Sequence, residues 1–203
     1  MSVETLNTAR HESILQAAIG VFLRYGFRKT SMDDLARAAG ISRQGLYGHF
    51  ATKDVLFKES VIYLTHQNRI KAHAVLARND LAIEERLLGV FVALKTHNDG
   101  SDMSQEHMAE LLATASQLVG PAIAELENVL VSDLTHALQS SDVAAKWEKL
   151  GLTAEDLARH LFSVSHGIKH YVKTTAEYKE RMRVAVSIIC GANVHNVSSV
   201  KIQ

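Results

Sequence analysis

The chain has a single cysteine, a single proline, no long apolar run and no net charge, and each shortage excludes something. Cys190, being alone, cannot close an intramolecular disulfide, which fits a reducing compartment better than a disulfide-stapled secreted scaffold. One proline (Pro121) and 11 glycines are too few for the many turns of an all-β sandwich. No apolar run approaches the ~18 residues of a membrane span. Residues 1–10 are polar and no apolar segment of the signal-peptide kind follows them, so a cytoplasmic location is expected. Twenty-two basic residues against 22 acidic ones argue against a surface coated in positive charge for gripping nucleic acid. What is present, 47% hydrophobic and 22% charged residues, can bury a real core, and wholesale disorder is excluded as well.

The charges are not evenly spread. Residues 1–60 carry eight basic and six acidic side chains, and the remainder carries 14 and 16. The asymmetry is small, so the placement of the N-terminal charges matters more than their sum.

Helix signals run from end to end, and no period-2 alternation is long enough for a strand. Ile14, Ala18, Val21, Phe22 and Tyr25 recur on one helical face, and Gly26 supplies the stop. Ser31 with Asp34 reads as a capping box that opens a short helix through Leu35, Ala36 and Ala39, closed by Gly40. Ser42 can cap a third helix containing Leu46 and Tyr47, and Thr52 a fourth that runs to about Val75. Further segments are expected over 81–94, 103–118 and 122–138, the last two separated by Gly120-Pro121. After a polar break at Ser140-Ser141-Asp142, Thr153 with Asp156 opens a helix to about Val172, and a last one covers about 175–192. The fold class is therefore all-α, with about nine helices: a three-helix N-terminal domain over 1–60 and a larger helical bundle over 61–203.

Two short helices joined by a tight Gly-containing turn make a helix-turn-helix, which presents its second helix to the major groove. Ala36 permits close approach of the two helices, Gly40 can take the positive φ of the turn, and Ile41 and Leu46 fix the crossing angle. Leu35 and Phe50 would anchor the pair to the first helix.

The run Thr30-Ser31-Met32-Asp33-Asp34-Leu35-Ala36, then Ala39-Gly40-Ile41-Ser42, Leu46-Tyr47-Gly48-His49-Phe50 and Thr52-Lys53-Asp54-Val55-Leu56 resembles the TetR family of transcriptional regulators. The likeness covers about residues 10–60, and Gly48 departs from it, standing where the family commonly has an aromatic or polar residue. The resemblance implies a DNA-binding head followed by an effector-binding and dimerisation body. It also implies that Tyr47, His49 and Lys53 contact backbone phosphates, and Thr30 another, with Arg28 and Lys29 strengthening the local field. Side-chain chemistry adds Ser42 as a phosphate ligand, Arg43 as a ligand of guanine or phosphate, and Gln44 as a partner for adenine. Blander readings exist for each residue alone: Tyr47 as a packed aromatic, Arg43 and Lys53 as solvated charges, Ser42 as a cap and His49 as a partly buried side chain. The clustering of these types at one turn favours DNA.

Residues 61–203 contain no phosphate-binding loop, paired-cysteine site or nucleophile elbow, so no enzyme, cofactor or metal is expected. Candidate walls of an effector pocket are Phe91, Met103, Met108, Leu112, Leu118, Trp147, Phe162 and Tyr171, most of which plain core packing would also explain. Candidate dimer residues are Ser163, Gly167, Tyr171 and Ile189, whose alternative is ordinary packing within the chain. His166 and His170, four apart with His160 nearby, are the best metal-like spacing among the 11 histidines. His166 and His170 lie opposite the apolar stripe Leu157-Leu161-Val164-Ile168 and His160 borders it, which points to solvent or a subunit boundary. The expected function is that of a homodimeric repressor of a near-palindromic DNA operator, released by a small molecule. A metal-dependent helical enzyme and a protein-interaction module are the alternatives.

Overall fold

Helices α1 to α9 and no strand make up the described residues of the computed structural model, which are 3–95, 105–169, 171–172 and 174–191, with the side chains of 3–7 and 105–108 set aside. The elements are α1 Val3–Tyr25, α2 Met32–Ala38, α3 Arg43–His49, α4 Lys53–Leu76, α5 Ile83–Lys95, α6 Gln105–Gln139, α7 Asp142–Glu148, α8 Ala154–Lys169 and α9 Thr175–Cys190. No described helix is long and apolar enough to cross a membrane. The chain divides into two compact units, Met1–Arg69 with Gly100–Glu127, and Ile70–Asp99 with Asn128–Gln203.

The first unit is built on the apolar face of α1. Ile14, Leu15, Ala18 and Phe22 bury against Leu35 and Ala36 of α2, Leu46 of α3, Phe50, and Leu56 and Phe57 of α4. Phe22, Phe27 and Phe57 form an aromatic cluster, with an edge-on contact of 5.0 Å between the Phe22 and Phe57 ring centroids. Residues Leu111, Ala115 and Val119 of α6 belong to this same core. Such burial, at roughly 25 cal/mol per Å² of apolar surface, is the main force holding short helices that would not persist alone.

In the second unit α9 packs against both α5 and α8. Its Tyr178, Met182, Val186 and Ile189 are buried with Leu87, Val90 and Phe91 of α5 and Leu157, Ala158 and Leu161 of α8. The Tyr178 hydroxyl, which would be costly to bury alone, is 2.6 Å from the Ser165 hydroxyl. Trp147 of α7 donates its indole N–H to the Ile189 carbonyl at 2.6 Å, satisfying one of the open carbonyls at the end of α9.

Two details differ from the sequence expectation. The break expected at Gly120-Pro121 is a kink inside α6: Val119 leaves helical geometry (φ −140°, ψ 18°) and the helix resumes through Pro121. Proline has no N–H to give the preceding turn and its ring crowds that turn, so the chain yields just before it. The polar break expected at Ser140-Ser141-Asp142 is also the start of a helix the sequence expectation lacked, α7, whose N-cap Ser141 accepts from the Val143 N–H. Seven residues are too few for periodicity to announce a helix.

Candidate nucleic-acid interface

The turn between α1 and α2 is fastened from three sides. Gly26 takes φ +79°, the Thr30 hydroxyl donates to the Gly26 carbonyl at 2.6 Å, and Lys53 Nζ donates to the Phe27 and Thr30 carbonyls at 2.8 and 2.9 Å. The same ammonium lies 4.3 Å from the Phe27 ring centroid. The Arg28 N–H donates to Glu110 of α6 at 2.8 Å. Thr30 is therefore buried, 3% exposed, with its hydroxyl turned inward, and Lys53 is a strut of the turn with one donor left over.

The helix-turn-helix follows. Ser31 and Asp34 complete the capping box of α2, and the hydrogen bonds from Ser31 hold the Asp34 carboxyl below the usual carboxylate range. Gly40 turns the chain at φ +65°, Ile41 N–H closes back on the Ala36 carbonyl at 3.0 Å, and Ser42 caps α3 by accepting from the Gly45 N–H at 3.0 Å. From Ser42 to Phe50 only Leu46 and Phe50 are buried. Two anchors hold the helix, and Ser42, Arg43, Gln44, Tyr47, Gly48 and His49 all face outward. This is the geometry of a side-chain display: a narrow apolar footing and a polar outer surface with one fixed cation, Arg43.

Within that display Arg43 is held on two sides. Its Nη1 donates to Asp33 of α2 at 2.9 Å, and its guanidinium carbon lies 5.7 Å from the Tyr47 ring centroid. Hydrogen bonding to Tyr47 and then the charge of Asp33 raise its pKa further above ordinary arginine, so it is always a cation. Behind the far end of α3, the His11 ring of α1 packs at a tilt against Phe50, centroids 4.7 Å apart, and places Nε2 2.8 Å from Glu59 of α4. His49 lies 6.3 Å from the His11 ring centroid. Sequence reading found neither Asp33 nor His11 and Glu59, since their partners lie 10 and 48 residues away. Two consecutive acids where a capping box needs only one were the available signal for Asp33.

The structure scatters the candidate pocket residues. Phe91 is fully buried in the core of the second unit, Trp147 and Phe162 are partly buried against that core, Leu112 is exposed on α6 and Tyr171 is 81% exposed. Leu118 is partly buried against the first unit's core. Met103 and the Met108 side chain lie outside the described residues. Of the dimer candidates, Ser163, Gly167 and Tyr171 are exposed at four-residue spacing, whereas Ile189 is buried in its own chain's core. Its neighbour Ile188, about 100° around the helix, is 65% exposed. His160 and His166 are exposed, His170 lies outside the described residues, and no described group of three His, Cys, Asp or Glu could hold a metal. Burial pushes the Cys190 thiol up to about 12, which leaves it inert as a nucleophile.

Residues 14–60 match the family model described as bacterial regulatory proteins, tetR family. The HTH-type transcriptional regulator RutR of Escherichia coli O157:H7 is 26% identical over 171 residues, covering 81% of this chain and 74% of that protein. The HTH-type transcriptional regulator AcrR of Shigella flexneri is 39% identical over 56 residues, covering 28% of this chain and 25% of that protein. Among solved structures, the TetR family transcriptional regulator PfmR from Thermus thermophilus superposes with a TM-score of 0.62 at 18% identity, over 89% of this chain and 98% of that one. A TetR-like transcriptional regulator from a Rhodococcus species gives 0.61 at 22% identity, over 91% and 97%. The sequence likeness is strongest where the display is built, and the fold likeness extends through nearly the whole chain.

Proposed function

Because the chain belongs to the TetR family of transcriptional regulators, which are DNA-binding proteins and not enzymes, we propose that it acts as a homodimeric repressor of a near-palindromic operator and is released by a small-molecule effector. The observation that carries the DNA-reading part is the display on α3: two buried anchors, Leu46 and Phe50, with every other position from Ser42 to His49 exposed, among them a braced arginine. In this reading Arg43 and Gln44 meet base edges, while Ser42, Tyr47 and His49 meet phosphates. Thr30 and Lys53 act mainly by shaping the turn that sets α2 and α3, with the remaining Lys53 donor available to a phosphate.

Residues 1–60 are the reading head in this proposal, and 61–203 the ligand-binding and dimerisation part. Dimerisation is supported by exposed residues of α8, α9 and the turn between them: Ser163 and Gly167 leave room for close helix approach, and Tyr171, Val184 and Ile188 offer apolar area. Two copies give a short reading helix the specificity of two half-sites. Phe91, Trp147 and Phe162 remain the candidate effector contacts of the second unit, with Met108, Leu112 and Tyr171 less enclosed or outside the described side chains. An effector releases DNA only by binding the non-reading conformation better. A route to the head is available inside the first unit, where Glu110, Leu111, Ala115 and Val119 of α6 pack on the head's own core and turn. A cytoplasmic location goes with this role.

The test is fluorescence anisotropy of labelled duplex DNA across a salt series. Binding should weaken steeply with salt, log affinity against log salt falling by about 0.9 per phosphate contact. Arg43→Ala should relax preference at one base position. Absence of binding even at low salt would instead favour a helical interaction module.

A further inference from the structure

Two consecutive acids open α2, and they do different things. Asp34 is consumed by capping, accepting from the Ser31 N–H at 3.1 Å and its hydroxyl at 2.6 Å. Asp33 has no part in the cap; its Oδ2 reaches across the turn to Arg43 Nη1 at 2.9 Å. Both partners of this pair are more than half exposed, 51% for Asp33 and 59% for Arg43. An ion pair so open to water contributes little to stability. A carboxylate beside an outward arginine of a DNA-reading helix also repels every phosphate that approaches. As an acid in the first turn of α2, Asp33 favours the helix dipole, but that needs no arginine partner and does not account for the pairing with Arg43, nor does raw affinity.

We propose that Asp33 is a specificity-determining positioning residue: it orients the Arg43 guanidinium so that its free edge meets a guanine, and it discourages the same guanidinium from settling on a phosphate. This rests on the reading of Arg43 as a base contact. A guanidinium has five donors in one plane. With one engaged by Asp33 through Nη1 and one shared with Tyr47, three remain, enough for the two that guanine O6 and N7 require. The Tyr47 ring, 5.7 Å away, limits the remaining freedom. Guanine's groove edge is neutral and tolerates a neighbouring carboxylate, whereas a phosphate does not. Asp33 therefore acts on the choice between two contacts that Arg43 could make equally well alone.

The experiment selects duplexes from a randomised-sequence library with the wild-type chain. Affinities are then measured for the recovered duplex, its single-base variants and a scrambled duplex, using the wild type, Asp33→Asn, Asp33→Glu, Arg43→Ala and the Asp33→Asn/Arg43→Ala double variant. The position that loses preference in Arg43→Ala identifies the base that Arg43 reads. Asp33→Asn should reduce discrimination at that position about tenfold. It should also tighten binding to the scrambled duplex and steepen its salt dependence by about one phosphate contact. Asp33→Glu should restore part of the discrimination, and Asp33→Asn should change it no further in the Arg43→Ala background. Thermal melting of each variant controls for folding, which an exposed pair should not disturb. If Asp33→Asn changes affinity for all duplexes by one common factor, Asp33 is only a repulsive charge and the proposal is overturned. If Arg43→Ala alone leaves every base preference intact, the base-contact reading of Arg43 has failed, and that arm identifies the failure.

Discussion

Lys53 occupies the first position of α4 and gives two of its three protons to carbonyls of the α1–α2 turn. Its side chain thereby ties α4 to the entrance of the helix-turn-helix, with the Phe27 ring against the ammonium. Lys53→Met keeps the aliphatic stem and removes both bonds, leaving two turn carbonyls to find other donors. We expect a loss of about 2 kcal/mol in denaturant unfolding, the scale of hydrogen bonds from a charged donor. DNA affinity should fall together with stability. A variant that loses DNA binding with unchanged stability would make Lys53 a phosphate ligand first and a strut second. The resemblance assigned Lys53 and Thr30 to phosphate, and nothing in the linear sequence marks the Phe27 and Thr30 carbonyls as acceptors. Their accessibility to Lys53 exists only once α1 and α4 have packed.

Helix α3 is a weak helix by composition, seven residues with glycine at 45 and 48, so its caps and its two buried anchors must impose it. That dependence makes two substitutions informative as a pair. A Cβ at Gly48 would meet nothing within 4 Å, and the backbone there is helical, so Gly48→Ala should stabilise the domain by about 0.5–1 kcal/mol. A Cβ at Gly40 also meets nothing within 4 Å, but φ is +65°, so Gly40→Ala should cost about 1–2 kcal/mol from backbone strain alone. Urea unfolding of both measures the contrast: a Gly40→Ala variant that is not destabilised would show that the turn relaxes, and a destabilised Gly48→Ala variant would contradict the helix-propensity argument for α3. Elements of this kind were legible beforehand wherever a cap and a stop bracket them: Ser31 to Gly40, Ser42 onward, Thr153 with Asp156. The kink at Val119 and helix α7 were not, because each depends on a few residues yielding to their surroundings.

At the scale of the whole molecule, a formal charge of zero does not exclude a nucleic-acid partner, because placement overrides the sum. Several cations of the head are already partnered, Arg43 by Asp33 and Arg37 by Asp34, so binding should rest on a few oriented contacts. This favours sequence-specific recognition by two copies over general adhesion. The reading head was legible because its motif is dense and local. Burial was less legible: Phe91 and Ile189 both belong to the core, and only packing reveals that Ile188, beside Ile189, faces outward. The most direct test of the central claim is recovery of duplexes from a randomised library by the intact chain, followed by alignment of the bound sequences. The account predicts two related half-sites of opposite orientation, their centres about one helical turn or a multiple of it apart. Recovery of no common sequence at any salt concentration would contradict it.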